Sequence, residues 1–244
     1  MIAYLDAVAR DSAEDKRRSF EALGLREGVK VLDAGCGTGD DVRALATLVG
    51  ASGRVYGVDA SSVMIAEARK RGTPANVEFV RAEAGTLPFA SASFDAVRAE
   101  RLFQHLSEPS QAAVELRRVI RDGGRAFVID PDWETLIVGG VDAELTRRIA
   151  RALSESVAYP WAGRNARSLL RRAGFRSAVA TPVASSPSLG AAFDLFLSSA
   201  LDAAIALQAV SGAEAARWLE EVCGAEQRGE FFCAVLSVAT LATA

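Results

Sequence analysis

The fold of this chain is decided by the stretch Val31-Leu32-Asp33-Ala34-Gly35-Cys36-Gly37-Thr38-Gly39. An apolar run ends in three alternating glycines, and a helical pattern begins at Asp40, so the stretch predicts a strand, a tight turn and a helix. Glycine adopts positive φ without a Cβ penalty and lets a ligand lie against bare backbone at the carboxyl end of a strand. The segment therefore predicts a site for a nucleotide-like cofactor.

The glycine spacing argues against two common phosphate sites. It is G-x-G-x-G rather than the dinucleotide G-x-G-x-x-G, and no Gly-Lys-Ser/Thr follows it. The helix opens with Asp40 and Asp41, which suit its positive N-terminal dipole but would repel a pyrophosphate. What remains is a cofactor with a nucleoside and no phosphate, and S-adenosylmethionine fits that description.

An acidic residue ends the second predicted strand, Arg54 to Asp59, about 20 residues past the glycines. At that place Asp59 can accept two ribose hydroxyl hydrogen bonds. The alternative is that Asp59 caps the next helix, although Ser61 or Ser62 can do so instead. Met64 on that helix either packs against the adenine face or fills the core.

These stretches resemble the class I S-adenosylmethionine-dependent methyltransferases, in particular the small-molecule enzymes related to ubiquinone and menaquinone biosynthesis methyltransferases. The first glycine stretch is similar to motif I of that family. The segment 82–89, Ala-Glu-Ala-Gly-Thr-Leu-Pro-Phe, resembles its Gly-Asp-Ala-x-x-Leu-Pro-Phe segment, with glutamate replacing aspartate. Phe94-Asp95-Ala96-Val97 resembles its Phe-Asp-x-Val strand, which commonly leads to two histidines, of which only the second, His105, is kept. The resemblance covers roughly residues 30–135.

The resemblance implies a set of cofactor contacts. Glu83 would receive the adenine amino group, and the Ala84 amide would donate to a ring nitrogen. Ala99 and Glu100 would lie near the methionine amino group, which a carbonyl or carboxylate can bind. The residues predicted to bind S-adenosylmethionine are Asp33, Gly35, Cys36, Gly37, Thr38, Asp59, Ala60, Met64, Glu83, Ala84, Ala99 and Glu100.

The acceptor side is predicted just past the fourth strand and around the fifth. His105 is placed to act as a general base, or else bonds a neighbouring backbone carbonyl at a helix start. Trp133 follows Asp130-Pro131-Asp132 where the chain is expected to leave the sheet, as a pocket wall or a buried loop anchor. The residues predicted to contact the acceptor are Tyr4, Arg101, Trp133, Phe193 and Phe196.

The expected architecture is α/β, a doubly wound, Rossmann-like, seven-stranded sheet that is parallel except for its last strand. One methyltransferase domain is expected over 1–244, with an N-terminal helical leader over 1–28. The last two strands are predicted over 177–185 and 229–238, and two apolar helices are predicted between them, within 189–228, where the bare fold would use a hairpin. This helical insertion either closes an acceptor pocket as a lid, or belongs to the core or a dimer contact.

Charge and motifs argue against nucleic acid as the substrate. The formal net charge of −3 gives no general basic field that would attract nucleic acid or anionic lipid. The Asn-Pro-Pro-Tyr type tetrapeptide of nucleic-acid amino methyltransferases is absent after the fourth strand, which again indicates a small-molecule acceptor. No signal peptide and no uninterrupted apolar run of membrane-spanning length is recognised, so a cytoplasmic protein without a membrane partner is expected. Cys36, Cys223 and Cys233 lack metal-ligand spacing and are expected to be reduced core thiols, with no metal bound.

The sequence thus predicts methyl transfer from S-adenosylmethionine to a small, lipophilic or aromatic metabolite, with oxygen slightly favoured over nitrogen or carbon as the acceptor. Two alternatives stay open. A dinucleotide oxidoreductase would share the strand, glycines and helix but not their spacing. A protein that keeps the cofactor without transferring methyl, as a scaffold, regulator or pericyclic catalyst, would share every cofactor motif. A homodimer is left open.

Overall fold

The computed structural model describes the chain from residue 13 to residue 244, and within the first helix it describes the side chains of Arg17 and of Ser19 onward. The strands are β1 (Lys30–Ala34), β2 (Arg54–Asp59), β3 (Val77–Arg81), β4 (Phe94–Glu100), β5 (Ile120–Gly139), β6 (Ser177–Ser185) and β7 (Phe232–Thr243). The helices are α1 (Ala13–Leu23), α2 (Asp40–Val49), α3 (Ser62–Lys70), α4 (Pro109–Val119), α5 (Ala143–Ser156), α6 (Ala162–Arg172), α7 (Leu189–Ala192), α8 (Ser198–Ala206) and α9 (Gly212–Gln227).

The strands form one seven-stranded sheet in the order β3-β2-β1-β4-β5-β7-β6. The pairs from β3 to β5 are parallel, whereas β7 runs antiparallel to both β5 and β6. This confirms the predicted sheet. The strand order reverses beside β1, so the carboxyl ends of β1 and β4 flank the point where open α/β sheets bind their ligands.

Two apolar layers cover the two faces of the sheet. One is built on Leu32, Val97 and the buried sides of α4 and α6. The other is built on Val31, Leu45 and the buried sides of α2 and α3. Side chains of consecutive strand residues point to opposite faces, so each central strand supplies both layers.

A third apolar cluster is separate from these two layers. It joins α5, α8 and α9 to the later part of β5 and the start of β7, with Trp218 fully buried at its centre. Capping explains where two of its helices begin. The Asp142 carboxylate accepts from the backbone N–H groups of Glu144 and Leu145, which opens α5. Ser211 and Glu214 form a capping box that opens α9.

Several predicted boundaries are wrong. β5 continues to Gly139 rather than ending near Asp130, because its second half pairs with β7 up to the Gly139–Phe232 pair. The last strand spans Phe232–Thr243 rather than starting at Gly229 and ending at Val238. Long-range pairing decides both limits, and local periodicity does not report it.

The region between β6 and β7 is helical. α7 passes through a π-helical stretch, Phe193–Leu197, into α8, and this continuous helix is long and apolar enough to cross a membrane by length and composition, with a mean hydropathy of 1.5. Asp194 and Asp202 interrupt this helix, so the expectation that no uninterrupted apolar run reaches that length is not contradicted. One such helix is weak evidence for a membrane span, and Leu197, Ala200 and Ala204 pack within the third apolar cluster.

Candidate active site

The glycine turn joins β1 to α2 at the carboxyl edge of the sheet. Gly35, Gly37 and Gly39 have φ of +76°, +52° and +78°, a region that side chains disfavour. A Cβ on Gly35 would lie 3.0 Å from Leu102, and one on Gly39 would lie 2.5 Å from the Phe79 ring. The turn therefore needs glycine both for its backbone conformation and for close packing, and it presents bare backbone at the ligand edge.

The Asp59 carboxylate is hydrogen-bonded to this turn. Its Oδ2 accepts from the Gly37 N–H at 3.0 Å, and its Oδ1 accepts from the Ser61 N–H at 2.8 Å. Ser61 itself caps α3, because its Oγ accepts from the Met64 N–H. Two fixed hydrogen bonds orient a half-buried carboxylate that has further lone pairs for hydroxyl donors.

The predicted adenine residues lie at the neighbouring strand end. β2 and β3 are parallel and pair Asp59 with Arg81, so Glu83 follows β3 close to the end of β2. Glu83 is exposed and Ala84 is buried. Met64 is buried on α3, whereas Ala60 is exposed. These positions fit a nucleoside lying across the ends of β2 and β3.

Three predicted cofactor residues lie in or beneath the turn instead of facing solvent. Asp33 is 3% exposed and contacts Arg98 at 3.2 Å. The Thr38 hydroxyl donates to Asp40 Oδ2 at 3.0 Å. Cys36 is buried, and burial raises the pKa of its thiol well above the usual range. These three side chains therefore stabilise the glycine turn through buried contacts.

The two carboxylates that open α2 are both paired with arginines. Asp40 contacts Arg43 at 2.6 Å and Arg71 at 3.3 Å, and Asp41 contacts Arg98 at 3.0 Å. Because arginines neutralise both carboxylates, they would repel a pyrophosphate less than the two free charges predicted from the sequence. The exclusion of a dinucleotide then depends on the glycine spacing.

The acceptor side is organised by the buried Asp130. Its carboxylate oxygens accept from the backbone N–H groups of Phe103 and Gln104 at 3.3 and 3.1 Å, at the start of the 3₁₀ turn Phe103–His105. Burial raises the pKa of Asp130 to about 7, although the two backbone hydrogen bonds oppose the rise. Asp130 thus holds the short turn that carries His105.

Gln104 links this turn to the predicted acceptor wall. The Trp133 indole N–H donates to Gln104 Oε1 at 2.8 Å, and the Tyr159 N–H donates to the Gln104 carbonyl at 3.0 Å. Trp133 was expected where the chain leaves the sheet, but it lies inside β5 and is 5% exposed. Its ring meets Phe196 edge-on with centroids 5.8 Å apart. Phe196 is buried at 3% exposure, whereas Phe193 is half-buried.

His105 ends the 3₁₀ turn and reaches solvent. Atoms packed around the imidazole lower its pKa by desolvation, and the Arg101 charge lowers it further. Arg101 has φ of +54°, which is uncommon for a residue with a side chain, and its N–H donates to the Ile129 carbonyl at 2.8 Å. Tyr4 lies outside the described residues.

Some residues that shape the site were not predicted as site residues. Arg98, Gln104 and Asp130 are each at most 2% exposed. In the sequence, Arg98 could have been recognised as a cation in the middle of an apolar strand. The residues around Gln104 and Asp130 contain no local pattern that would have indicated a role in the site. Cys223 corrects a further expectation, because it is exposed on α9 and is not a core thiol.

Comparison with known proteins identifies relatives of this chain. Residues 31–124 match a family model described as a methyltransferase domain. A relative from Streptomyces fradiae, an uncharacterised 37.1 kDa protein in transposon TN4556, is 37% identical over 190 residues, 75% of this chain and 54% of its own length. The ubiquinone/menaquinone biosynthesis C-methyltransferase UbiE of Hahella chejuensis is 38% identical over 119 residues, 47% of this chain and 48% of its own length. The chain thus spans about half the length of these curated relatives.

Solved structures share the fold over nearly the whole chain. The YcgJ protein of Bacillus subtilis superposes with a TM-score of 0.65 at 17% identity, covering 95% of this chain and 98% of its own. An S-adenosylmethionine-dependent methyltransferase from Aquifex aeolicus does so with a TM-score of 0.56 at 20% identity, covering 96% and 97%. The fold, the glycine turn and the matched family model together define a methyltransferase domain. Residues 31–124 are thus a methyltransferase domain, and the chain has the fold of the class I S-adenosylmethionine-dependent methyltransferases.

Proposed function

We propose that this protein transfers the methyl group of S-adenosylmethionine to a small-molecule acceptor. One arrangement carries the proposal: the Asp59 carboxylate after β2, the glycine turn after β1 and the 3₁₀ turn with His105 after β4 follow one another along the carboxyl edge of the sheet. Under this proposal, the nucleoside site and the residue that accepts a proton share one edge, where open α/β sheets bind their ligands.

The residues present fit the cofactor. Gly35 and Gly37 leave bare backbone, and Asp59 is held ready to accept ribose hydroxyls by its two backbone hydrogen bonds. Glu83 and Ala84 would take the adenine edge, with Met64 beside its face. Ala99 and Glu100 would take the ammonium of the methionine portion at the end of β4.

When bound, S-adenosylmethionine supplies an electrophilic methyl group on a sulfonium. The work left to the chain is to hold the acceptor in line behind that methyl group and to exclude water. We assign the acceptor side to the 3₁₀ turn, with Arg101 at its entrance and Trp133 behind it. The hydrogen bond between Gln104 and the Trp133 indole fixes the position of the 3₁₀ turn relative to Trp133.

The acceptor we propose is lipophilic or aromatic. The third apolar cluster brings α8 against Trp133 through Phe196, and the half-buried Phe193 lies in the same helical run. As a lid, the 189–228 insertion would place apolar side chains over the acceptor. This role is part of the proposal, and so is contact of Phe193 and Tyr4 with the acceptor.

We further propose that His105 removes the acceptor's proton. A lowered pKa keeps its imidazole neutral at neutral pH, which is the form that accepts a proton. A general base is useful when the acceptor atom must lose a proton, as a phenol oxygen or an enolisable carbon does. The sequence slightly favours oxygen as the acceptor atom, whereas the names of the curated relatives describe C-methyltransferases.

The experiment is an incubation of the purified protein with S-adenosylmethionine and a panel of phenols, enolisable quinol-like compounds and amines. The expected result is a methylated product and S-adenosylhomocysteine in equal amounts. Calorimetric titration with S-adenosylhomocysteine gives an independent measure of the cofactor site. Binding without any methylated product would favour the alternative of a cofactor-retaining protein that does not transfer methyl. Absence of binding would contradict the proposal as a whole.

A further inference from the structure

The segment between β3 and β4, residues 82–93, carries the residues predicted to bind adenine, and we call it the adenine segment. Its first N–H, that of Ala82, donates to the Asp59 carbonyl at 3.1 Å, which joins the segment to the end of β2. The Thr86 N–H donates to the Glu83 carbonyl at 3.1 Å and closes a turn. The start of the adenine segment is therefore fixed next to the residue proposed to bind the ribose.

Helix α4 holds the second half of the adenine segment. Glu115 Oε2 accepts from the Leu87 N–H at 2.7 Å. Arg118 donates from Nη2 to the Leu87 carbonyl at 2.9 Å and from Nη1 to the Phe89 carbonyl at 2.7 Å. The Ala92 N–H in turn donates to the Arg118 carbonyl at 2.9 Å. These contacts fix the main chain of the adenine segment rather than its side chains.

Glu115 and Arg118 also bind each other. The Arg118 Nε and Nη2 donate to Glu115 Oε1 and Oε2 at 2.6 and 2.7 Å, so the planar guanidinium meets the carboxylate with two hydrogen bonds. Hydrogen bonds from Arg118 and from the Leu87 N–H lower the pKa of Glu115, although burial opposes this, so the carboxylate is ionised at neutral pH. The pair therefore has one fixed geometry, in which each member keeps further hydrogen-bonding groups for the adenine segment.

The spacing of residues along α4 explains why this helix meets the whole adenine segment. Gln111, Glu115 and Arg118 follow one another at i, i+4 and i+7, so they lie on one face of the helix. A Cβ added to Gly85 would lie 3.4 Å from Gln111 Oε1, so the same face also approaches the turn. One face of α4 thus extends from the turn to the end of the segment.

We propose that Glu115 and Arg118 are positioning residues that set the specificity of the cofactor site for adenine. Ala84 and Leu87 are buried in one apolar layer, so the hydrogen bonds at Leu87 fix where the Ala84 N–H and the Glu83 carboxylate lie. Without those bonds the segment can shift, and the two groups no longer meet the amino group and the ring nitrogen of adenine together. The inference rests on the proposed function. It goes beyond it by assigning base specificity to two side chains outside the predicted site.

The test compares two ligands on the folded protein. S-adenosylhomocysteine carries the adenine amino group, whereas its inosine counterpart, S-inosylhomocysteine, carries an oxo group there. Calorimetric titration gives both dissociation constants, and their ratio measures base specificity. Because an oxo group cannot donate to Glu83, we expect the wild type to bind the adenine ligand more tightly by about tenfold or more.

Variants of the pair should change this ratio. Glu115→Ala removes the acceptor for the Leu87 N–H, and we expect it to lower the ratio to below about threefold. Arg118→Lys keeps the charge but lacks the planar fork that reaches both carbonyls, and we expect an intermediate ratio. Glu115→Gln keeps an oxygen for the Leu87 N–H, so it should retain most of the wild-type ratio. The matched control is Glu144→Ala, which breaks the exposed Glu144–Arg147 pair of the same i,i+3 spacing on α5 and should leave the ratio unchanged.

A purely structural role would give a different result. If Glu115→Ala and Arg118→Lys unfold at lower temperature but, while folded, keep the wild-type ratio, this inference is overturned and the cofactor site stands. If Glu115→Ala does not fold, the ratio for Arg118→Lys decides. A wild type that binds both ligands equally also overturns the inference, because the site then does not distinguish the bases. If the wild type binds neither ligand, the proposed function itself fails.

Discussion

Asp33 and Arg98 face each other in register on adjacent parallel strands, β1 and β4, with their side chains 3.2 Å apart in the interior of the sheet. In most parallel sheets both faces are apolar. Here a charged pair stands directly beneath the glycine turn. Removing one member leaves an uncompensated buried charge, so the pair is expected to be costly to break, whatever its net contribution to stability.

Asp59 offers the most direct test of the cofactor site. We expect Asp59→Ala to weaken S-adenosylhomocysteine binding by about 1.5–3 kcal/mol, because hydrogen bonds to a charged acceptor are lost. Calorimetric titration measures this, with Asp122→Ala as the control at an exposed site. An unchanged dissociation constant in Asp59→Ala would remove Asp59 from the cofactor site.

His105→Ala tests the proposed base. With the true acceptor, we expect kcat to fall by about 10²–10⁴-fold, while cofactor affinity stays as in the wild type. Because the pKa of His105 is lowered, wild-type kcat should stay level through neutral pH and fall only in acid, as the imidazole gains a proton. A loss below about tenfold with an unaltered pH profile would leave proximity as the main catalytic device.

Asp130→Asn tests the buried carboxyl that holds the 3₁₀ turn. The folded-state pKa is raised to about 7 from an ordinary 3.8, so between these values the folded protein keeps a proton that the unfolded chain has lost. Wild-type stability should therefore fall as pH rises through this window, by up to about 1.4 kcal/mol per pH unit from this group.

Urea unfolding across that pH range measures the slope. Asp130→Asn should lack the part of the slope that comes from Asp130. The comparison is between slopes, because the absolute stability of the variant differs from that of the wild type. Asp122→Asn is the control, because Arg117 lowers the pKa of Asp122 from 3.8, so this carboxyl is ionised in the folded and the unfolded chain through most of that range and adds little slope there. Equal slopes in wild type and Asp130→Asn would mean that Asp130 keeps an ordinary pKa.

Substitutions of Phe193 and Phe196 test whether the 189–228 insertion is a lid over the acceptor or part of the core. Phe196 is 3% exposed against Trp133, so Phe196→Ser should destabilise the fold by about 3–5 kcal/mol, as core phenylalanine truncations do. Phe193 is half-buried, and Phe193→Ser should instead raise the acceptor KM with little change in cofactor affinity. Thermal unfolding and steady-state kinetics distinguish the two, with Leu219→Ser on α9 as the control. An unchanged KM in Phe193→Ser would exclude it from the acceptor site.

The sequence by itself determined the strand, glycine turn and helix at Val31–Asp40 and the acid that ends β2. These are local features: positive φ demands glycine, and alternation or helical periodicity appears within a few residues. The parallel sheet was predicted from the resemblance of these stretches to the class I methyltransferases. Local reasoning also named Ser61 as a candidate helix cap that leaves Asp59 for another role.

Only the tertiary structure decided what surrounds these residues. The partners of Arg98 come from positions 33, 41 and 100, and the partners of Asp130 are backbone N–H groups at 103 and 104. Trp133 lies inside β5 because that strand pairs with β7, a segment about a hundred residues later. Burial and partnership between distant segments set the pKa values and the exposure of side chains, and no local pattern carries that information.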